Sequence, residues 1–170
     1  MEEEERLADP AIGESFIERV CTARRWRAFV ARRPWRRDLI AFHIDHEYAV
    51  RVHSPAHYIR LGRLVTARLP LTAALPSYGS LLMQALSIPA TRSRHLAVVR
   101  GLAGLLKRDL GVQDRRQLRG VVDAYRRGCV PLLAPWRCCV TTSEAPARPR
   151  AAHRVYLDSY PTELLLRSSA

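Results

Sequence analysis

Three histidines, His43, His46 and His53, are the residues of this chain best placed to do chemistry. With Leu39 and Val50 they follow one another at steps of four, three, four and three, which stacks all five on one face of an α-helix. Converging imidazole nitrogens could ligate a metal ion, and such a site usually takes a carboxylate or thiolate to complete it. Asp45 and Glu47 point off the stripe, so completion would have to come from elsewhere in the chain. The same stripe could instead stack against a base or contact a phosphate. It could also be a buried, hydrogen-bonded face with no ligand at all. Ser54-Pro55 ends the stripe and starts a new helix, because Ser can cap free N–H groups and Pro is tolerated at the first helical position. Tyr58, Leu61 and Val65 follow on that helix.

Other reactive groups are sparse. Cys21, Cys129, Cys138 and Cys139 show no CxxC spacing. The neighbouring Cys138 and Cys139 cannot face one direction on a helix, so core packing suits them better than an iron–sulfur cage. The chain carries no GxSxG elbow, Walker loop, dinucleotide fingerprint or HExxH motif. An enzymatic role would rest on the histidines alone, and no cofactor is called for.

Charge is the strongest compositional signal. The net charge is +12, and 27 of the 28 basic residues are arginine. From Tyr48 to Arg108 there is no Asp or Glu, while Arg51, Arg60, Arg63, Arg68, Arg92, Arg94, Arg100 and Lys107 all fall within that span. A GC-rich genome would explain arginine over lysine, but not the missing acids. A polyanion is the expected partner. With neither a signal peptide nor a membrane-spanning run, a cytoplasmic setting away from the membrane is expected.

At 170 residues the chain can bury roughly 70% of its unfolded surface in one core. The periodicity predicts helices throughout: a first from Asp9-Pro10 to about Arg33, with Phe16, Ile17, Val20, Cys21, Trp26, Phe29 and Val30 inward. One from Trp35 to His53 and one from Pro55 to about Arg68 follow. The next should begin near Pro76, because proline ends or kinks a helix. Ser87–Ala90 reads as a linker, and Thr91 caps a regular helix. On that helix Ser93, Ala97, Arg100, Gly104 and Lys107 line up, a face suited either to a phosphate backbone or to tight helix packing. Asp114 is expected to cap a further helix that ends at Gly128, with Arg115, Arg116, Arg119, Arg126 and Arg127 on its surface. PLLAPWRCCV reads as a short apolar helix and TTSEAPARPR as a polar connection. The expected architecture is all-α, a single-domain multi-helix bundle with an extended C-terminal tail.

At FHxxHxxxxxxHS, Phe42 to Ser54, with Tyr58 and Leu61-Gly62, the sequence resembles the YbgA-type family, a bacterial domain of unknown function. PATRxxH from Pro89 to His95, AYRRGxxPLLAP from Ala124 to Pro135 and YLDxYPxELxLR from Tyr156 to Arg167 extend the resemblance over most of the chain. Residues 1–31 are similar to the joint that follows a thiouracil or 4-thiouridine desulfidase domain in longer relatives, leaving 32–170 as the YbgA-like helical domain. What the resemblance implies is a C-terminal accessory domain that helps hold tRNA while an iron–sulfur domain removes sulfur. The cluster-binding cysteines of that domain have no counterparts here, so catalysis by this chain is not expected. Arg92, His95, Lys107, Arg126, Tyr156 and Arg167 match the family motifs and are the RNA contacts it implies.

The combined expectation is an RNA-binding accessory domain for tRNA or another structured RNA, with a desulfidase-domain protein as a possible partner. Phosphates would lie on Arg92, Arg94, Arg100, Lys107 and Arg126, and an unstacked base on His46, His53 or Tyr58. The alternatives are a metal protein or enzyme using His43, His46 and His53, or an adaptor docking on a desulfidase or photolyase through Phe16, Trp26 and Trp35. Nothing in the sequence sets an oligomeric state.

Overall fold

The structure is a computed structural model that describes residues 10–106 and 110–143. Among these residues there are eight helices and no strand, as the periodicity predicts: α1 (Pro10–Ala31), α2 (Arg36–Asp45), α3 (Glu47–His53), α4 (Pro55–Thr66), α5 (Leu71–Leu86), α6 (Arg92–Leu106), α7 (Val112–Arg127) and α8 (Leu133–Ser143). They fall into two compact units that divide at Ala90 and Thr91, directly after the predicted linker. Helix α1 packs within the first unit.

In the first unit α4 lies against α2, α3 and α5, and α1 lies against α5. Its core gathers Leu39, Phe42, Val50, Leu61, Val65, Tyr78, Leu82 and Ala85. Trp26 of α1 completes it, with ring centroids 5.1 Å from Tyr78, 5.3 Å from Phe42 and 5.5 Å from Phe29. Each such pair adds about 0.5–1.5 kcal/mol beyond the area it buries. The indole comes so close to α5 that a methyl at Gly79 would sit 2.4 Å from Trp26 Nε1, and only glycine fits there.

The buried face of α1 differs from the expected one. Phe16 and Val20 are half exposed, while Glu18 and Thr22 are buried, at 3% and 1% exposure. The inward stripe therefore reads Glu18, Thr22, Trp26, Phe29, with polar residues in its first half.

Two boundaries also move. The stretch from Trp35 to His53 is interrupted at His46 (φ −92°, ψ 6°), where the imidazole Nδ1–H and the backbone N–H both reach the Phe42 carbonyl, at 2.8 and 3.1 Å. A side chain competing for the helical ladder is a known cause of kinking. Helix α5 begins at Leu71 rather than near Pro76, which sits inside it. An interior proline costs about 3 kcal/mol. Packing offsets this: Ala74 is fully buried, and Leu71 and Leu75 lie against the core. Arg36 secures the approach to α5 by donating to the carbonyls of Val65, Ala67 and Leu69.

In the second unit α6, α7 and α8 touch pairwise and bury Val99, Leu102, Leu106, Leu118, Val122 and Tyr125. The Thr91 hydroxyl accepts from Arg94 N at 3.4 Å, as a cap should. Gly111, not Asp114, is the N-cap of α7, and Asp114 lies in its first turn. Gly128 ends α7 in the left-handed region (φ 86°), as its position predicts. Cys139 is fully buried, and burial, reinforced by Cys138, pushes its thiol up to about 12.

Candidate functional site

The histidine stripe faces inward. His43, His46 and His53 are 8%, 3% and 0% exposed, alongside Leu39 and Val50. His43 stacks on Tyr58 (4.4 Å between centroids, 7° between planes), and its Nδ1 lies 3.2 Å from the Tyr78 hydroxyl. Burial lowers its pKa below the ordinary value, partly opposed by the Glu47 carboxylate, and burial keeps the Tyr78 phenol protonated. The His46 ring stacks on Phe42 with centroids 3.8 Å apart. Its Nδ1 carries the proton it donates to the Phe42 carbonyl, so Nε2 holds a buried lone pair without a hydrogen-bond partner. Burial pulls His46 down to about 4, against the pull of that hydrogen bond and helped by nearby Arg25 and His43.

His53 has both nitrogens committed. Nδ1–H donates to the Ile88 carbonyl at 2.6 Å, and Nε2 faces Glu18 Oε2 at 3.0 Å. The three rings thus turn to three different partners. Among the described residues, no three His, Cys, Asp or Glu side chains come together in a way that could hold a metal ion. Nor can a base stack on His46 or His53 in this conformation, since both are sealed in the core. Tyr58 is half-buried, with one face on His43.

The arginines have the opposite placement. Between α6 and α7 lies a groove of about 270 Å³ walled by Arg100, Arg115 and Arg119, with Gly104 on its α6 side and Asp123 on its α7 side. A methyl built at Gly104 would meet nothing within 4 Å, so this glycine faces open space and not a packed helix. Tight helix packing, one of the two uses expected for that face, is not seen at Gly104. Asp123 is engaged by Arg126 at 3.4 Å, and Arg115 Nε donates to the Leu110 carbonyl at 2.8 Å. Arg100 and Arg119 are exposed, and among the described residues no ion pair involves either of them.

The other expected contacts divide. Arg92 is a fold element: its guanidinium donates to the Tyr125 carbonyl at the end of α7, lies 5.0 Å from the Tyr125 ring centroid and rests against Gly128. His95 is buried and Arg94 half-buried. Arg126 is exposed but paired with Asp123. Lys107, Tyr156 and Arg167 lie outside the described residues. Sequence reading passed over Glu18, whose signal is an acid four residues before Thr22 and eight before Trp26 on one helical face.

A protein described as uncharacterized protein YbgA, from Escherichia coli strain K12, is 32% identical over 101 residues, which cover 57% of this chain and 59% of that protein. The chain thus spans about three-fifths of the length of this relative. No solved structure matches it. The family described as a protein of unknown function, DUF1722, matches residues 47–161, which take in His53 but not His43 or His46, and the whole arginine groove, and the chain belongs to that family.

Proposed function

We propose that this chain is an RNA-binding accessory module that takes tRNA and does not itself catalyse a reaction. The observation that carries the reading is the open groove between α6 and α7, where Arg100, Arg115 and Arg119 meet beside an uncovered Gly104 in a chain of net charge +12. Arginine forks match phosphate oxygens in bidentate geometry, and a groove without a tight lid suits a continuous backbone. The buried histidines hold the fold in this reading, and binding falls to the surface arginines. The resemblance to accessory domains of thiouridine desulfidases supports a role in presenting thiolated tRNA.

Mobility shift of the purified chain with bulk tRNA, with and without 4-thiouridine, across a salt series tests it. Neutralising about four phosphates in single-stranded regions gives a slope of log affinity against log salt of roughly −3. A preference for thiolated tRNA would tie the module to sulfur removal. A complex indifferent to salt, or none at low salt, would overturn the reading.

The exposed rings of Phe16 and Trp35, at 52% and 71%, favour a second reading as an adaptor for a desulfidase-domain protein. Association with such a purified domain that survives nuclease treatment and is lost in Trp35→Ala would support it.

A further inference from the structure

The first unit has a groove of its own. It runs between α4 and α5, measures about 680 Å³ and is walled by Arg60 and Arg63 on one side and Ser77, Ser80 and Gln84 on the other, with Pro76 at its edge. That volume lies within the range of about 300–1,000 Å³ usual for ligand sites. Arg60 and Arg63 are three residues apart and share one face of α4. Both are exposed, and no acid occurs between Tyr48 and Arg108, so neither α4 nor α5 offers them a carboxylate. Arg51, one helix earlier, is by contrast neutralised by Glu47 at 2.9 Å.

The facing wall is polar and uncharged. Ser77, Ser80 and Gln84 follow at steps of three and four along α5, which puts them on one face. The Gln84 amide and the Ser80 hydroxyl are hydrogen-bonded at 3.2 Å. Whichever way the amide is turned, the pair keeps at least one further donor and one further acceptor, and both residues are exposed. The Ser77 hydroxyl donates to the Ala73 carbonyl at 3.0 Å and keeps its lone pairs for a further donor. Pro76 lacks an N–H, which deprives the Thr72 carbonyl of its helical partner and puts an apolar ring at the groove edge.

Cations on one wall, an adjacent donor and acceptor on the other and an apolar edge are the three components of a nucleotide: phosphate, base edge or ribose hydroxyl, and base face. We propose that the α4–α5 groove is a second RNA site, which holds a single-stranded segment with two phosphates on Arg60 and Arg63 and a base or 2′-hydroxyl on Ser80 and Gln84. The proposal rests on the RNA reading above but on different residues, in the other unit.

The test compares the whole chain with the variants R60A/R63A and S80A/Q84A, using bulk tRNA and uridine monophosphate as probes. All four positions are exposed, and urea unfolding of each variant checks that the fold is kept. Two single-strand phosphate contacts contribute about 0.7 log units each per decade of salt. R60A/R63A should therefore bind tRNA about 25-fold more weakly at 100 mM salt, with a slope shallower by about 1.4. S80A/Q84A should weaken binding at unchanged slope. If the parent chain binds tRNA and R60A/R63A binds it equally well with the same slope, the second site is wrong while the RNA reading stands. If the parent chain binds no tRNA, both fall. Loss of uridine monophosphate binding with tRNA binding intact would make the groove a free-nucleotide site and overturn the proposal as stated.

Discussion

The histidine face of α2 and α3 and the arginine face of α6 and α7 are built by the same rule, polar residues at helical spacing, and come to opposite ends. His43, His46 and His53 are sealed inside the first unit, whereas Arg100 and Arg119 stand in solvent on the second. The difference lies in the neighbours. The histidines are interleaved with Leu39 and Val50 and meet Glu18, Phe42, Tyr58 and Tyr78, which satisfy or stack on their rings. The arginines line an open groove with Gly104 and with Asp123, which Arg126 already engages, and a guanidinium is too costly to bury without a paired acid. His43 and His46 enter the core as neutral rings, burial having lowered their pKa, and a guanidinium has no such route.

The largest effect should come from opening the histidine face. Glu18→Ala leaves His53 Nε2 facing a void in a fully buried position, and breaking a buried pair of this kind costs about 3–5 kcal/mol. A fall in the urea midpoint of the full chain, with the slope of the transition unchanged, is the expected record. A loss below about 1 kcal/mol would mean that the contact contributes little.

Acid should attack the same face. His46 stays neutral in the fold down to about 4, while the unfolded chain takes up its proton near the ordinary histidine value. Below that value the unfolded state binds more protons. Stability is therefore full above pH 6.5 and drains away between pH 6.5 and 4, by up to about 3 kcal/mol from His46 alone, with His43 acting in the same direction. His46→Asn keeps a donor for the Phe42 carbonyl but does not titrate, and it should flatten most of that decline.

The smaller test separates two arginines that look alike in the sequence. Arg92→Ala removes a charge-assisted hydrogen bond and a cation–π contact at the end of α7 and should cost about 2 kcal/mol of stability. Arg100→Ala should change stability by less than about 0.5 kcal/mol. It should weaken tRNA binding severalfold at 100 mM salt. Equal unfolding midpoints for the two variants would remove the distinction drawn between them.

Much of the fold was legible because its signals are local. Ser54 and Thr91 cap where their side chains reach the next turn, and Gly128 ends α7 where only a left-handed residue fits. What escaped was set by distant partners. Glu18 is buried because His53 arrives from 35 positions further on, and α5 starts before Pro76 because Ala74 and Leu75 find a core to fill. The candidate site was half legible for the same reason. Spacing placed Arg100 and Gly104 on one face, but it could not tell whether that face was open or packed, that Arg92 would be spent on Tyr125 or that the histidines would find partners inside.

The bond from His53 to the Ile88 carbonyl also says where the chain can be cut. That carbonyl belongs to the connector between the units, and the ring that holds it is braced on its other side by α1. A first unit expressed by itself must therefore keep the connector through Ala90 and all of α1. Trimming to Leu86 would strand one nitrogen of a fully buried ring, and starting at residue 32 would strand the other and leave a hole where Trp26 sits.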